Sequence, residues 1–141
     1  FIPIHLITQK TRSTTTQRSK ELKALLDTGS LAGDFVTKEI VNSLSIVNNV
    51  YNINFAVCSG IDNTCLEKLQ AIDLLIELTP EDNSEDVVNN KYIFLTTFFI
   101  LEKSKVPIII GRQSIQKHSL VSKFPSQFSL RGSDNVYPES G

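Results

Sequence analysis

Cysteine, histidine, glycine and surplus positive charge are scarce in this sequence of 141 residues. It has two Cys, two His and six Gly, and it has neither Met nor Trp. Two cysteines are too few for a disulfide framework or a four-cysteine zinc site, and the two histidines have no further ligand at metal spacing. With 14 Lys plus Arg against 15 Asp plus Glu, the sequence lacks the basic surplus of nucleic-acid-binding proteins. We therefore expect no metal, no cofactor and no nucleic-acid partner.

Long apolar runs are absent as well. No stretch approaches the roughly 20 apolar residues that span a bilayer, and no basic and then apolar signal sequence opens the chain, so we expect no membrane association. The length fits one domain, because single domains cluster at about 100–150 residues. We expect that domain at residues 1–130 and a C-terminal tail at residues 131–141. Because the chain begins at Phe1 and contains no Met, we expect it to be a segment of a longer polypeptide.

Apolar and β-branched segments predict a mostly β fold. Strands are expected at residues 1–8, 21–26, 50–57, 64–78, 92–101 and 106–110. Helical spacing of apolar residues predicts a helix at 35–44, with Asp34 as its N-cap, and a second short helix is expected at 113–123. The polar segments 9–20 and 80–90 are expected to be exposed loops.

Elimination leaves one candidate for chemistry. The sequence has no glycine-rich phosphate loop, no G-x-S-x-G serine elbow and no H-E-x-x-H zinc motif. It does have Asp27-Thr28-Gly29, directly after the apolar segment 21–26. A carboxylate on a tight turn at the end of a buried strand is held rigidly in a place of low dielectric constant, which suits general acid–base catalysis. The alternative for the same residues is a strand followed by an ordinary Asp-initiated turn.

Three segments together resemble the retropepsin-like aspartic proteases, the single-lobe enzymes of retroviruses and long-terminal-repeat retrotransposons. Residues 21–30 (ELKALLDTGS) resemble the strand and catalytic loop of that family. Residues 50–69 resemble its hairpin flap, and residues 106–115 (VPIIIGRQSI) resemble the apolar strand, Gly-Arg pair and helix that brace the catalytic loop. The resemblance implies a single-lobe acid-protease barrel with one or two short helices, located in the cytoplasm or within retroelement particles.

The resemblance implies peptide hydrolysis by two aspartates that share a proton and activate a water molecule. The sequence contains this triplet only once, so the second aspartate must be Asp27 of another copy, and a two-fold homodimer is expected. By the same resemblance Thr28 would hydrogen-bond across the dimer, and Gly29 would let the substrate backbone approach. Ser30 would donate a hydrogen bond to the Asp27 carboxylate and favour activity on the acidic side of neutral pH. The expected substrate is an extended peptide, above all the parent polyprotein.

The arms 50–57 and 64–78 predict one long β-hairpin, which as a flap would bond the peptide main chain to main chain. Its expected peptide contacts are Phe55, Val57, Ser59, Gly60 and Ile61. Packing within the hairpin is an equal alternative for each apolar residue of that set. Two cysteines of the hairpin, Cys58 and Cys65, are equidistant from a turn centred on residues 61 and 62, so they face each other within reach of a disulfide. In a reducing compartment we nevertheless expect two free thiols.

Support for the catalytic loop is expected from Ser30, Gly111 and Arg112. Related enzymes often carry an acidic residue soon after the triplet, and it pairs with the arginine of the second motif. The first acid here is Asp34, which leaves three arrangements open: Arg112 pairs with Asp34, it pairs with a backbone carbonyl, or this support of the loop differs from that of the family. A C-terminal dimer strand has one candidate, residues 128–130.

Two other interpretations of the whole chain stay open. The first is a retropepsin-fold module that has lost cleavage and serves dimerisation or peptide binding. The intact Asp27-Thr28-Gly29 argues against it, whereas the irregular brace at Arg112 favours it. The second is an unrelated β domain with a chance triplet, and the ordered second motif at 106–115 argues against that.

Overall fold

The apolar segments of the sequence pair into a barrel in the computed structural model, which describes residues 1–9, 16–44, 49–58, 64–66, 69–78 and 91–128. Its strands are β1 (Ile2–Gln9), β2 (Thr16–Arg18), β3 (Leu22–Leu26), β4 (Asp34–Thr37), β5 (Tyr51–Asn52), β6 (Val57–Cys58), β7 (Cys65–Leu66), β8 (Gln70–Leu78), β9 (Tyr92–Leu101) and β10 (Ile108–Ile110). Its helices are α1 (Lys38–Ser43), α2 (Arg112–Lys117) and α3 (Leu120–Lys123), and a 3₁₀ turn follows at Pro125–Phe128. Among these described residues, no helix has the length and apolar character needed to cross a membrane.

Six of the strands form a closed ring. They pair in the order β1–β3–β10–β4–β9–β8, and the ring closes because β8 pairs both with β9 and with β1. β2 extends the sheet beside β1, β5 extends it beside β8, and β6 and β7 form a separate two-stranded sheet. Closure satisfies the backbone groups that an open sheet edge would expose. The prediction of a mostly β fold with few short helices is confirmed.

Alternation along the strands fills the barrel with aliphatic side chains. On β1, for example, Ile2, Ile4 and Leu6 are fully buried. Ile115 of α2 and Leu120 of α3 pack against the same core from outside the ring. Burying one such side chain is worth about 1.5–3 kcal/mol, so this shared core fixes the two helices against the barrel.

The predicted helix at residues 35–44 is wrong in its first half. Asp34–Thr37 form β4, which pairs with β9 and β10, and the helix begins only at Lys38. Asp34 is therefore not the N-cap, a position that Thr37 occupies. Strand pairing on both sides of β4 overrides the helical spacing of its apolar residues, because tertiary packing outweighs local propensity.

Other differences from the predictions lie at segment ends. The predicted loop at residues 9–20 includes β2, which pairs with β1, and residues 10–15 lie outside the described residues. The predicted second helix is two helices, separated where Ser119 adopts the left-handed conformation with φ 52°. Phe128, the first residue of the expected dimer strand, ends a 3₁₀ turn, and residues 129 and 130 lie outside the described residues. The predicted loop at 80–90 and the tail at 131–141 also lie outside the described residues.

Strand directions bring three parts of the chain to one edge of the barrel. β3 and β10 are parallel, so their carboxyl ends lie side by side, and Asp27 follows one while Gly111 follows the other. β4 runs antiparallel to β10, so its first residue, Asp34, reaches the same edge. Asp27 and Gly111, which are 84 positions apart in the chain, are therefore neighbours in space.

Candidate active site

Asp27 lies on a turn that backbone hydrogen bonds hold at both ends. Its N–H donates to the carbonyl oxygen of Ile110 at 2.9 Å, and its own carbonyl accepts from the N–H of Ser30 at 3.1 Å. The N–H of Gly29 donates to Asp27 Oδ1 at 2.9 Å. No donor among the described residues bonds the other carboxylate oxygen. The turn therefore presents a partly exposed carboxylate in a fixed orientation.

Thr28 and Gly29 form the exposed tip of this turn. A Cβ added at Gly29 would lie 3.2 Å from Asp27 Oδ1, which is closer than an ordinary van der Waals contact. Glycine at this position therefore leaves the carboxylate uncrowded. The roles of Thr28 in dimerisation and of Gly29 in substrate approach stay predictions.

Gly111 packs directly against the backbone of the Asp27 loop. It is buried, and a Cβ there would overlap the carbonyl oxygen of Gly33 and lie 2.8 Å from that of Ser30. The next residue, Arg112, donates its backbone N–H to the Ser30 carbonyl at 2.9 Å. The second motif thus holds the loop through backbone contacts, and only glycine fits at the point of closest approach.

The Ser30 hydroxyl donates to the carbonyl oxygen of Gly33 at 2.9 Å. A hydroxyl has one proton to donate, so this hydrogen is directed along the loop and away from the Asp27 carboxylate. The expectation that the Ser30 hydroxyl donates a hydrogen bond to the Asp27 carboxylate is therefore wrong. Ser30 stabilises the shape of the loop instead.

The segment from Gly111 to Ser114 supports the Asp27 loop from behind, and we call it the brace. Asp34 is its main polar anchor, and this side chain is 4% exposed. Its Oδ1 accepts the backbone N–H of Gly111 at 2.6 Å. Its Oδ2 accepts the hydroxyls of Ser114 on α2 and Thr96 on β9, each at 2.6 Å. Hydrogen bonds to an ionised acceptor are the strong ones, and three of them satisfy this buried carboxylate. The carboxylate thereby ties β4, β9 and α2 to the residue that supports the Asp27 loop.

The expected pairing of Arg112 with Asp34 is wrong. The Arg112 side chain is exposed and makes no ion pair or hydrogen bond with any described residue. The acid of the brace is present, but hydroxyls and a backbone N–H replace the arginine. Thr96 and Ser114 went unpredicted because nothing in their sequence context separates them from other hydroxyl residues.

The hairpin expected as a flap is present, with its pairing interrupted. β5 pairs with β8, β6 pairs with β7, and between them the N–H of Ile53 donates to the carbonyl of Leu69 at 3.1 Å. Phe55 is 61% exposed, and its ring contacts the edge of Phe99 at 6.4 Å between centroids. The Phe99 ring also packs on Gly33, so the hairpin lies next to the loop that follows Asp27.

The other predicted flap residues divide into two groups. Val57 is buried, as expected of a residue that packs within the hairpin. Ser59, Gly60 and Ile61 lie outside the described residues. Of the five residues expected to contact a peptide, Phe55 is therefore the one that the structure places as an exposed apolar side chain beside the loop.

Cys58 and Cys65 lie opposite each other in β6 and β7, as their equal distance in sequence from residues 61 and 62 predicts. They form a disulfide. The expectation of two free thiols is therefore wrong. The register followed from the sequence, whereas the oxidation state was inferred from an assumed compartment.

A cavity of about 350 Å³ opens beside the Asp34 brace. It lies between the start of β4, the middle of β9 and the exposed face of α2, and its polar lining includes Asp73, Thr97, Lys117 and His118. Among the described residues, no cluster of three or more His, Cys, Asp or Glu side chains is arranged to hold a metal ion. The cavity therefore has a mixed polar wall without a metal-ligand set.

His118 borders this cavity as a packed aromatic residue. Its ring stacks on Phe94 with centroids 4.0 Å apart, and its Nδ1 shares a 3.0 Å hydrogen bond with the Tyr92 hydroxyl. Burial and the nearby charges of Lys117 and Lys123 hold the pKa of His118 below its ordinary value. Folding thus favours the neutral ring.

The sequence matches no protein-family model, and a search of curated proteins finds no relative. The geometry of the Asp27 loop, of the Gly111 segment that supports it and of the adjacent hairpin is therefore the evidence for function.

Proposed function

We propose that the chain is an aspartic endopeptidase that acts as a two-fold homodimer, with one Asp27 from each copy. The observation that carries the proposal is the Asp27 turn, where Gly29 fixes one carboxylate oxygen and Gly111 supports the loop from behind. Hydrolysis of this type needs two carboxylates. The nearby acid Asp34 is buried and fully engaged in hydrogen bonds, so it cannot serve as the second. A second copy of the chain supplies it.

The two carboxylates act in different protonation states. The ionised carboxylate takes a proton from a water molecule, and the water oxygen attacks the scissile carbonyl carbon. The protonated carboxyl gives its proton to the carbonyl oxygen. Transfer of a proton to the amide nitrogen then breaks the C–N bond and releases an amine and a carboxylic acid.

The hairpin beside the loop serves as the cover of the peptide site. An extended peptide lying between the hairpin and Asp27 can bond to the hairpin backbone as an added strand. The exposed ring of Phe55, which reaches the loop through Phe99 and Gly33, offers an apolar contact to the peptide. The predicted contacts of Ser59, Gly60 and Ile61 belong to the same proposal. Retroelement polyproteins are the substrate class that the sequence resemblance implies.

A peptide-binding or dimerisation module without cleavage is the second candidate. Its peptide-binding form is favoured by Phe128, which lies in a 3₁₀ turn and adds no dimer strand at that residue, and by the Arg112 side chain, which is unpaired among the described residues. The two candidates differ in whether Asp27 turns over substrate. They share the hairpin and the peptide-binding edge.

Peptide cleavage by matched aspartate variants tests the proposal. Asp27→Asn removes the catalytic acid, and Asp73→Asn makes the same chemical change on β8. Asp73 is exposed, and the Oδ1 that accepts from Tyr51 and Thr97 at 2.8 and 2.7 Å is retained in Asn. We expect the wild type and Asp73→Asn to cleave a peptide library at rates that rise faster than linearly with protein concentration. We expect Asp27→Asn to be inactive.

Either of two results would contradict the proposal. Cleavage by Asp27→Asn at the wild-type rate would remove Asp27 from the mechanism. Peptide binding without cleavage, at concentrations where sedimentation detects a dimer, would establish the binding module instead.

A further inference from the structure

The covalent link across the hairpin is a feature that the proposed hydrolysis does not use. Cys58 and Cys65 are the two cysteines of the sequence, and their disulfide joins β6 to β7. Both residues are exposed. Exposure lets a thiolate approach either sulfur, and exposed disulfides are typically the labile or regulatory ones.

The backbone ladder in this part of the hairpin is short. β6 and β7 contribute two residues each, and so short a ladder is marginal in water by itself. Towards the barrel, the N–H of Ile53 donates to Leu69 before the β5–β8 pairing begins. Phe55 and Leu66 are 61% and 45% exposed, whereas Val57 is buried. Beside this short ladder, the disulfide is a covalent restraint on the relative position of the two arms.

We infer that Cys58–Cys65 is a thiol–disulfide exchange site for low-molecular-weight thiols of the glutathione class, and that reduction loosens the outer hairpin. A thiolate attacks one protein sulfur, forms a mixed disulfide and releases the other cysteine as a thiolate. A second small thiol then displaces the first and leaves as part of the small-molecule disulfide. Two electrons and two protons pass from the two small thiols to Cys58 and Cys65.

The functional consequence rests on the proposed peptidase activity. In the oxidised chain the hairpin arms are already in register before a peptide binds. In the reduced chain the peptide must order them, and this cost opposes binding. We expect KM for a peptide to rise by about tenfold to sixtyfold on reduction, with kcat changing less, since the full loop-closure entropy of so short a cross-linked loop corresponds to about sixtyfold.

The test compares the wild type with the double variant Cys58→Ser/Cys65→Ser, each with and without a dithiol reductant. Intact mass after alkylation in denaturant should show no added alkyl group on unreduced wild type and two after reduction. Hydrogen exchange at residues 53–58 and 64–66 should rise on reduction to the level of the double variant. The double variant should not respond to the dithiol, and exchange in β8 and β9 should stay constant as an internal control.

Several results would overturn the inference. Two alkyl groups on unreduced wild type would show that the disulfide does not form, and equal exchange before and after reduction would show that it does not restrain the hairpin. Peptide cleavage with the same KM in both states would remove its regulatory effect. If neither the oxidised nor the reduced protein cleaves peptide, only the proposed peptidase activity fails. The intact mass and the hydrogen exchange still test whether the disulfide forms and restrains the hairpin.

Discussion

Replacing Asp34 by alanine removes the carboxylate that anchors the support of the Asp27 loop. The change removes the acceptor of three hydrogen bonds of 2.6 Å each at a site that is 4% exposed. It leaves the Gly111 N–H unpaired, and it leaves the hydroxyls of Thr96 and Ser114 with only their mutual contact at 3.5 Å. A hydrogen bond to a charged group contributes about 1.5–3 kcal/mol. Burying the Asp34 carboxylate costs hydration free energy in the wild type, and this cost offsets part of the stabilisation by the three hydrogen bonds. We expect the free energy of unfolding to fall by about 3–4 kcal/mol.

Urea unfolding followed by circular dichroism at neutral pH measures this loss. Asp73→Ala is the matched control, because its exposed carboxylate also accepts two hydroxyls, and we expect it to cost less than about 1 kcal/mol. Asp34→Asn should lie between the wild type and Asp34→Ala, since one amide oxygen can still accept the Gly111 N–H. A loss below about 1 kcal/mol for Asp34→Ala would refute the view that this carboxylate holds the brace together.

Three further predictions follow from contacts elsewhere in the barrel. Gly111→Ala should lower the free energy of unfolding by about 3 kcal/mol or prevent folding, since the alanine Cβ would overlap the Gly33 carbonyl. Thermal unfolding measures this loss, and an unchanged midpoint would contradict the close contact. Burial raises the pKa of Glu77, but the hydrogen bond and charge of Arg18 outweigh it and hold the pKa below the ordinary 4.5. The stability that ionised Glu77 contributes is present above the pKa of Glu77 in the unfolded state, and it is lost as the pH falls through the pKa in the folded state. Glu77→Gln should therefore reduce the loss of stability in acid, which is measured as the urea midpoint against pH. Burial lowers the pKa of His118 below 6.5, so the contribution of His118 to folding stability is present above that pH and shrinks below it. His118→Asn should therefore make the urea midpoint depend less on pH between about pH 7 and pH 5, and an unaltered pH dependence would contradict this.

The sequence predicts the strands well where a buried face alternates or a whole segment is apolar. β1, β3, β9 and β10 lie where their β-branched and apolar residues indicate. It fails at Asp34–Thr37, because Phe35 and Val36 satisfy a helical spacing as well as a strand. Only the strands that flank β4 in the sheet, β9 and β10, decide between the two, and both lie far from β4 in the sequence.

The candidate site shows the same division between local and tertiary information. The adjacency of Asp27 and Gly111 is implied by the resemblance to a known family, and the parallel pairing of β3 and β10 brings the two residues together. The acceptor role of Asp34 is not implied in this way, because its donors Thr96 and Ser114 are 62 and 80 residues away in sequence. The direction of the Ser30 hydroxyl likewise depends on where the loop places the Gly33 carbonyl.

The Cys58–Cys65 pair separates register from redox state. Symmetry about the turn was enough to place the two residues opposite each other. Whether the sulfurs join depends on the oxidant that the chain meets, and spacing carries no information about that.

A covalently linked dimer tests the central claim, that catalysis needs Asp27 from two copies. Two copies are joined in tandem through a flexible linker, and peptide cleavage is compared for the wild-type pair and for a pair with Asp27→Asn in one half only. We expect the mixed pair to be slower than the wild-type pair by more than about a hundredfold, because it has one carboxylate in place of two. A mixed pair with half the wild-type activity would show that each copy cleaves alone, and it would contradict the account.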